Sequence, residues 1–321
     1  TATALYGHTP AIWERIWGMN TIKKGLGESC EFAGYHPAVN LIFYAFAIGI
    51  AMFSTRPLFI GIGFICSWGY SVLLGGSKAV KVNIMFMIPV IILMVIINTF
   101  FTHDGETVLF YLNGNRITLE ALVYGAAAAF VLTSVIVWFA SFNIIMTSDK
   151  FIYLFGKAAP VLGLTLSMIF RFIPLLKSRF AEISMGQKCM GRGQQKGFLR
   201  KTRLILKEVS ILISWSLEAS IETADSMEAR GYGLKGRTSF HLFKFTKRDF
   251  KALAAIAVTG GISAAGCIMG KTSMYYYPVI KAGDFDMMTI MAAAAYALLL
   301  VIPFAIDVRG EAKWKQLNLQ M

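Results

Sequence analysis

Six apolar runs, at 38–55, 57–74, 82–101, 121–146, 252–269 and 285–306, constrain this chain more than any other feature. Each approaches the ~20 residues that an α-helix needs to cross a bilayer's hydrocarbon core. Lipid offers no partner for backbone amides and carbonyls, so such runs cross as helices, which pair those groups internally. Ten-residue segments of strict alternation, the mark of an outer-membrane barrel, are not present. Charged residues make up 15% of the chain and hydrophobic ones 56%. Soluble domains carry about 25% charged residues, so the composition argues against a soluble globular protein. A chain this apolar and aromatic-rich is not disordered either. Between the first two runs, Ser54-Thr55-Arg56-Pro57 places one charge and then a residue that cannot continue a helix, which predicts a helical hairpin. The fold class expected is an all-α polytopic membrane protein with about six transmembrane helices.

The formal charge of +13 then asks where the 31 Lys and Arg sit. A seventh run, 158–176, is interrupted by Arg171 and Pro174 and decides the topology. Basic residues in short loops favour the cytoplasm. If 158–176 does not cross, 27 Lys and Arg lie inside and 4 outside; if it crosses, the division is 22 against 9. The six-span arrangement follows, with both termini in the cytoplasm. Its segments are a cytoplasmic 1–37, four spans in 38–146, a cytoplasmic insert at 147–251, two spans in 252–306 and a cytoplasmic tail at 307–321.

The insert is unusually apolar and reads as long amphipathic helices. One pattern runs from Ala159 through Met190, and a second from Thr202 through Ala229. In the second, Val209, Leu212, Ile213, Leu217, Ile221 and Ala224 recur at three- and four-residue spacings, with Glu218, Glu222 and Asp225 as an acidic stripe beside them. Both end in glycine, at Gly191 and Gly193 and at Gly231 and Gly233, as suits the left-handed conformation that closes helices.

Chemistry-bearing constellations are sparse. The span interiors hold no ionisable residue, which weighs against ion-coupled transport and intramembrane hydrolysis. Ala265 to Thr272 satisfies a relaxed P-loop pattern, but that mechanism needs a strand, a loop and then a helix, and this match ends an apolar helix. Cys30, Cys66, Cys189 and Cys267 are scattered and read as buried thiols, and His8, His36, His103 and His241 as ordinary polar positions. No cofactor, no metal, no catalytic residue and no nucleic-acid partner is expected. Asn113-Gly114-Asn115 between short apolar stretches reads as a small external β-hairpin.

Two helix ends remain. Met190-Gly191-Arg192-Gly193 closes one long helix and Glu228-Ala229-Arg230-Gly231-Tyr232-Gly233 the other. Small neighbours let a forked guanidinium enter a groove, where it can meet carboxylates or carbonyls. One such tip could be a cation stabilising a helix C-terminus. Two on one insert suggest a surface that engages two similar partners.

With these residues in place the sequence resembles the transmembrane T component of energy-coupling factor transporters, the CbiQ-like family. The resemblance rests on His36-Pro37 before the first span, Phe170-Arg171-Phe172-Ile173-Pro174 leading into a long helix, and the two arginine tips in order. It implies a non-catalytic scaffold. Gly191, Arg192, Gly193 and Ala229, Arg230, Gly231 would dock into two ATP-binding-cassette ATPase subunits. A membrane-embedded S component would choose the substrate, a vitamin or metal ion. Where the family has Ala, Gly191 is expected to loosen the first helix end. The alternative is a stand-alone permease that binds a small solute directly.

Overall fold

The computed structural model describes residues 30–102, 105–112, 115–158, 160–191, 197–234, 243–278 and 286–318. The chain forms two compact units: Ser148–Phe243 is one, and the flanking segments, up to Thr147 and from Lys244 onward, together make the other.

The flanking segments build a helical bundle. A short 3-10 turn at Phe32–Gly34 precedes α1, Pro37–Phe53. Pro37 supplies the fixed φ that suits a first helical position, and the His36 ring accepts the Ala38 amide through Nδ1 at 3.2 Å. Next comes α2, Pro57–Phe101, which reverses at Gly76, where φ is +57°. Its arms, Pro57–Gly76 and Val80–Phe101, are tied by Asn83 Nδ2 donating to Ser71 Oγ at 2.8 Å and Trp68 Nε1 donating to Met87 Sδ at 2.7 Å. The pairing order is antiparallel, so this element is a helical hairpin with glycine at its turn. After it, β1, Val108–Leu112, and β2, Asn115–Thr118, form the hairpin that the sequence indicated. The bundle is completed by α3, Leu119–Ile145, and by two helices that follow the other unit. These are α7, Lys247–Ile268, and α8, Met287–Asn318.

Among the described residues, five helical segments are long and apolar enough to span a membrane: both arms of α2, then α3, α7 and α8. Their broadly exposed apolar side chains suit a lipid solvent, and the chain is an all-α polytopic membrane protein. The sixth expected span is α1, which at 17 residues is the short one, because Pro37 opens it and the Ser54-Thr55 break closes it.

The bundle's core is aromatic. Trp138 stacks on Tyr70 at 5.9 Å between ring centres and meets Phe43 and Tyr44 edge-on. Below this layer sits a group that hydropathy did not reveal. The last apolar run stops at 306, but α8 continues and buries Asp307. Its Oδ1 accepts the Phe32 amide at 2.8 Å and its Oδ2 the Tyr70 hydroxyl at 3.1 Å, so a carboxylate pins the entry turn to the last helix. A second anchor opens α7. Thr246 and Asp249 form a capping box, and Asp249 Oδ1 also accepts the His36 amide at 3.3 Å. Phe245 packs edge-on against the His36 ring, and the Arg248 guanidinium lies 4.2 Å from the centre of the Tyr35 ring. His36 is therefore a joint between α1 and α7, more specific than the ordinary polar position expected.

The segment resembling a P-loop is the C-terminal end of α7. Gly270, at φ +71°, follows Met269, and the Lys271 amide returns to the Gly266 carbonyl at 3.0 Å. Carbonyls rather than amides face outward at such an end, the wrong polarity for phosphate. Lys271 Nζ pairs with Asp286 at 2.9 Å.

Candidate functional site at the ends of two long helices

The second unit holds α4, Ser148–Ala158, then α5, Pro160–Cys189, and α6, Phe198–Ala229. None of the three is among the candidate spans; of the ambiguous run 158–176, residues 160–176 open the continuous 30-residue helix α5. A methyl group at Gly163 would overlap the Gly156 backbone, which shows how closely α4 folds back on α5. Burial pushes the Lys150 amine of α4 down to about 8.

The helices α5 and α6 pack antiparallel. Early residues of α5, Leu164, Thr165 and Met168, line a groove of about 280 Å³ with Thr223, Met227 and Tyr232 at the far end of α6. Further along, Ile173 and Leu176 line a second groove of about 270 Å³ with Ser216 and Ser220. Nearer the connecting segment, the Arg179 guanidinium lies 5.0 Å from the centre of the Trp215 ring and is held there by Glu182 at 2.7 Å. The Arg179 side chain is about half exposed there, so this cation–π contact links the two helices at about 0.5–1 kcal/mol. Two helices of 30 and 32 residues are each about 45 Å long at 1.5 Å per residue. The antiparallel arrangement therefore puts the end of α5 and the end of α6 at opposite ends of the pair, about a helix length apart.

The end of α6 is closed by two hydrogen bonds. Gly231, at φ +78°, donates its amide to the Glu228 carbonyl at 2.9 Å, and Tyr232 donates to Met227 at 3.0 Å. This is the reciprocal pattern of a Schellman cap. Arg230 is the last residue before that glycine and is exposed. Among the described residues it makes no ion pair, so its guanidinium is presented by a rigid end rather than spent on one. Gly231 fits as glycine alone would, because φ +78° is costly for a residue with Cβ.

The end of α5 repeats half of this pattern. Gly191, at φ +75°, donates to the Lys188 carbonyl at 3.0 Å. Gly191 thus ends the helix as its left-handed residue, one of the glycines expected to close it. Arg192 and Gly193 lie outside the described residues. The register nevertheless differs between the tips: Arg230 immediately precedes its left-handed glycine, whereas Arg192 immediately follows one. Treating both tips as small–Arg–small concealed this offset, because the residue sequence does not say which glycine closes the helix. Cys189, expected to be buried, is exposed in the last turn of α5.

Sequence reasoning also missed the clasp of Arg179 over Trp215, 36 residues apart. Trp215 lay on the apolar side of a helical pattern and carried no separate signal.

The described tips are thus two glycine-closed helix ends on one antiparallel helix pair, with Arg230 exposed at one of them. Residues 34–241 match the family model CbiQ, described as cobalt transport protein, a segment that includes both tips and stops before α7. Among curated proteins, the energy-coupling factor transporter transmembrane protein EcfT of Streptococcus equi subsp. equi is 28% identical over 187 residues, 54% of this chain and 69% of that protein. The protein of the same name from Listeria innocua is 32% identical, and that of Lactococcus lactis 30%, each covering 54% of this chain and 69% of its own. A match over this much of the chain, spanning α1 to α6, settles the family: the chain belongs to the CbiQ family of membrane transport proteins.

Proposed function

We propose that this chain is the transmembrane coupling subunit of an energy-coupling factor importer. Gly191, Arg192 and Gly193 at one tip and Ala229, Arg230 and Gly231 at the other would each dock on one ATP-binding-cassette ATPase subunit. The observation that carries this reading is Arg230, exposed and unpaired among the described residues at a Schellman-capped end, about 45 Å along the helix pair from the Gly191 end. Two partners can occupy two tips at that separation without colliding. ATP-driven approach of the ATPases would load the helix pair at its ends, and the Arg179–Trp215 clasp would pass the load from one helix to the other as a single lever.

The unit Ser148–Phe243 would lie in the cytoplasm with both chain ends. The spans would lie in the plasma membrane, and the ATPases would hydrolyse ATP while this chain catalyses nothing. An S component would ride on the exposed apolar side chains of α6, Ile213, Leu217 and Ile221 among them, and would select a vitamin or metal ion. The names of the EcfT relatives support the transport assembly. The test is the double variant R192E/R230E, expressed with the ATPases and an S component. Uptake should be lost while membrane insertion and amount are unchanged. Uptake at the wild-type rate would overturn the assignment.

A further inference from the structure

The surface of α6 carries one continuous apolar stripe that changes its charged company half-way along. Leu199, Leu206, Ile213, Leu217 and Ile221 share a face and are all more than half exposed, Leu199 at 83%. At 100° per residue they fall within about 80° of one another, opposite the side that packs on α5. In the first ten residues of the helix this stripe is flanked on one side by Arg200, Arg203 and Lys207, all exposed. From residue 218 on it is accompanied by Glu218, Glu222, Asp225 and Glu228, also exposed. Neither the first turn holds an acid nor the last turn a base.

That order opposes the helix macrodipole, which favours anions at the start of a helix and cations at its end. Helix formation alone therefore does not account for the arrangement, and neither does packing on α5, because these charges point away from it. Two neighbouring leucines flanked by cations form the pattern of a helix face that settles into an anionic lipid–water interface. Apolar side chains enter the acyl boundary while cations meet phosphates. The acidic half of the same stripe would be repelled by that surface.

We propose that the first third of α6, Leu199 to Lys207, is a membrane-surface contact selective for anionic phospholipid. The acidic half, Glu218 onward, stays off the lipid. This contact does not depend on what the arginine tips bind. It would hold the end of the helix pair that also carries Gly191 at the bilayer surface and leave the Arg230 end off the lipid.

The test uses the full chain in nanodiscs, with its four cysteines replaced by alanine and an environment-sensitive fluorophore attached through Ser210→Cys. Ser210 is exposed on the same face, next to Leu206. Discs contain either phosphatidylcholine alone or equal parts phosphatidylcholine and phosphatidylglycerol, each with a lipid carrying a quencher just below the headgroup. Quenching at 210 should be ~threefold or more stronger with phosphatidylglycerol present. It should fall to the phosphatidylcholine level in R200E/R203E/K207E, and in the unaltered helix when salt shortens the Debye length to about 3 Å. The same label at Ile221→Cys should not respond to lipid charge. Equal quenching in both lipids, no quenching at 210, or full quenching in the charge-reversed chain would overturn the proposal. No quenching at 210 would mean that a protein surface, not lipid, covers the basic third, and full quenching in the charge-reversed chain would mean that lipid contact there does not depend on the basic side chains.

Discussion

Replacing Gly231 by alanine should open the end of α6 without touching Arg230. At φ +78° the wild-type residue sits where a Cβ costs about 1–2 kcal/mol. The added methyl would meet the Leu234 side chain, Cδ1 at 3.0 Å and Cγ at 3.8 Å, a flexible group, so sterics beyond the backbone add little. The strain is instead relieved by releasing the cap, which frees the Gly231 and Tyr232 amides from their carbonyls. An energy of 1–2 kcal/mol corresponds to a roughly 5- to 30-fold increase in the population of the opened last turn. Hydrogen exchange read on peptides spanning 224–234 should speed up by about that factor, and ATPase co-purification should weaken although Arg230 is still present. Gly186→Ala provides the opposite sign in the same unit. Gly186 lies inside α5 with nothing within 4 Å of an added Cβ, so alanine there should slow exchange by stabilising the helix about 0.5–1 kcal/mol. Unchanged exchange around residue 231 in the alanine variant would refute the view that a left-handed glycine fixes this tip.

Asp307→Leu should remove the carboxylate that accepts the Phe32 amide and the Tyr70 hydroxyl and lower the thermal midpoint in detergent, at a cost of about 2–4 kcal/mol. Asp307→Asn keeps an acceptor and should lose clearly less. Burial, with Asp307 and Glu311 nearby, pushes the Cys30 thiol up to about 12 from 9.0, which leaves ~1000-fold less thiolate. Maleimide should therefore modify exposed Cys189 and spare Cys30 at pH 8, as peptide mass spectrometry would show. For Lys150 the folded amine titrates at about 8 and the unfolded one at about 10.5, so the unfolded chain binds more protons between those values. The stability of this unit should therefore rise as pH climbs from about 8 to about 10.5, and Lys150→Met should flatten that slope; a slope that persists in the variant would place its origin elsewhere.

Much of the fold was legible because lipid imposes a one-dimensional demand. A helix must be apolar along its whole crossing, and that demand leaves contiguous runs in the sequence. The two long helices of the second unit were legible for a similar reason, since an apolar face recurs at a fixed spacing. What escaped was pairing. Asp307 reads as the first polar residue of a tail until Phe32 and Tyr70 are brought to it from 275 and 237 residues away. His36 reads as a loop residue until Asp249 arrives 213 residues later. The tips were partly legible. Glycine and arginine announced two helix ends, but the offset of Arg192 and Arg230 about their closing glycines depends on which peptide turns left-handed. With Gly191, Gly193, Gly231 and Gly233 all available, composition does not choose.

The central claim is that each arginine tip holds one ATPase subunit, and the number of subunits retained by the solubilised chain tests it most directly. Native mass spectrometry of the purified assembly should find two ATPase subunits on the wild-type chain, one on R192E, one on R230E and none on R192E/R230E. A double variant that still carries two would contradict the account.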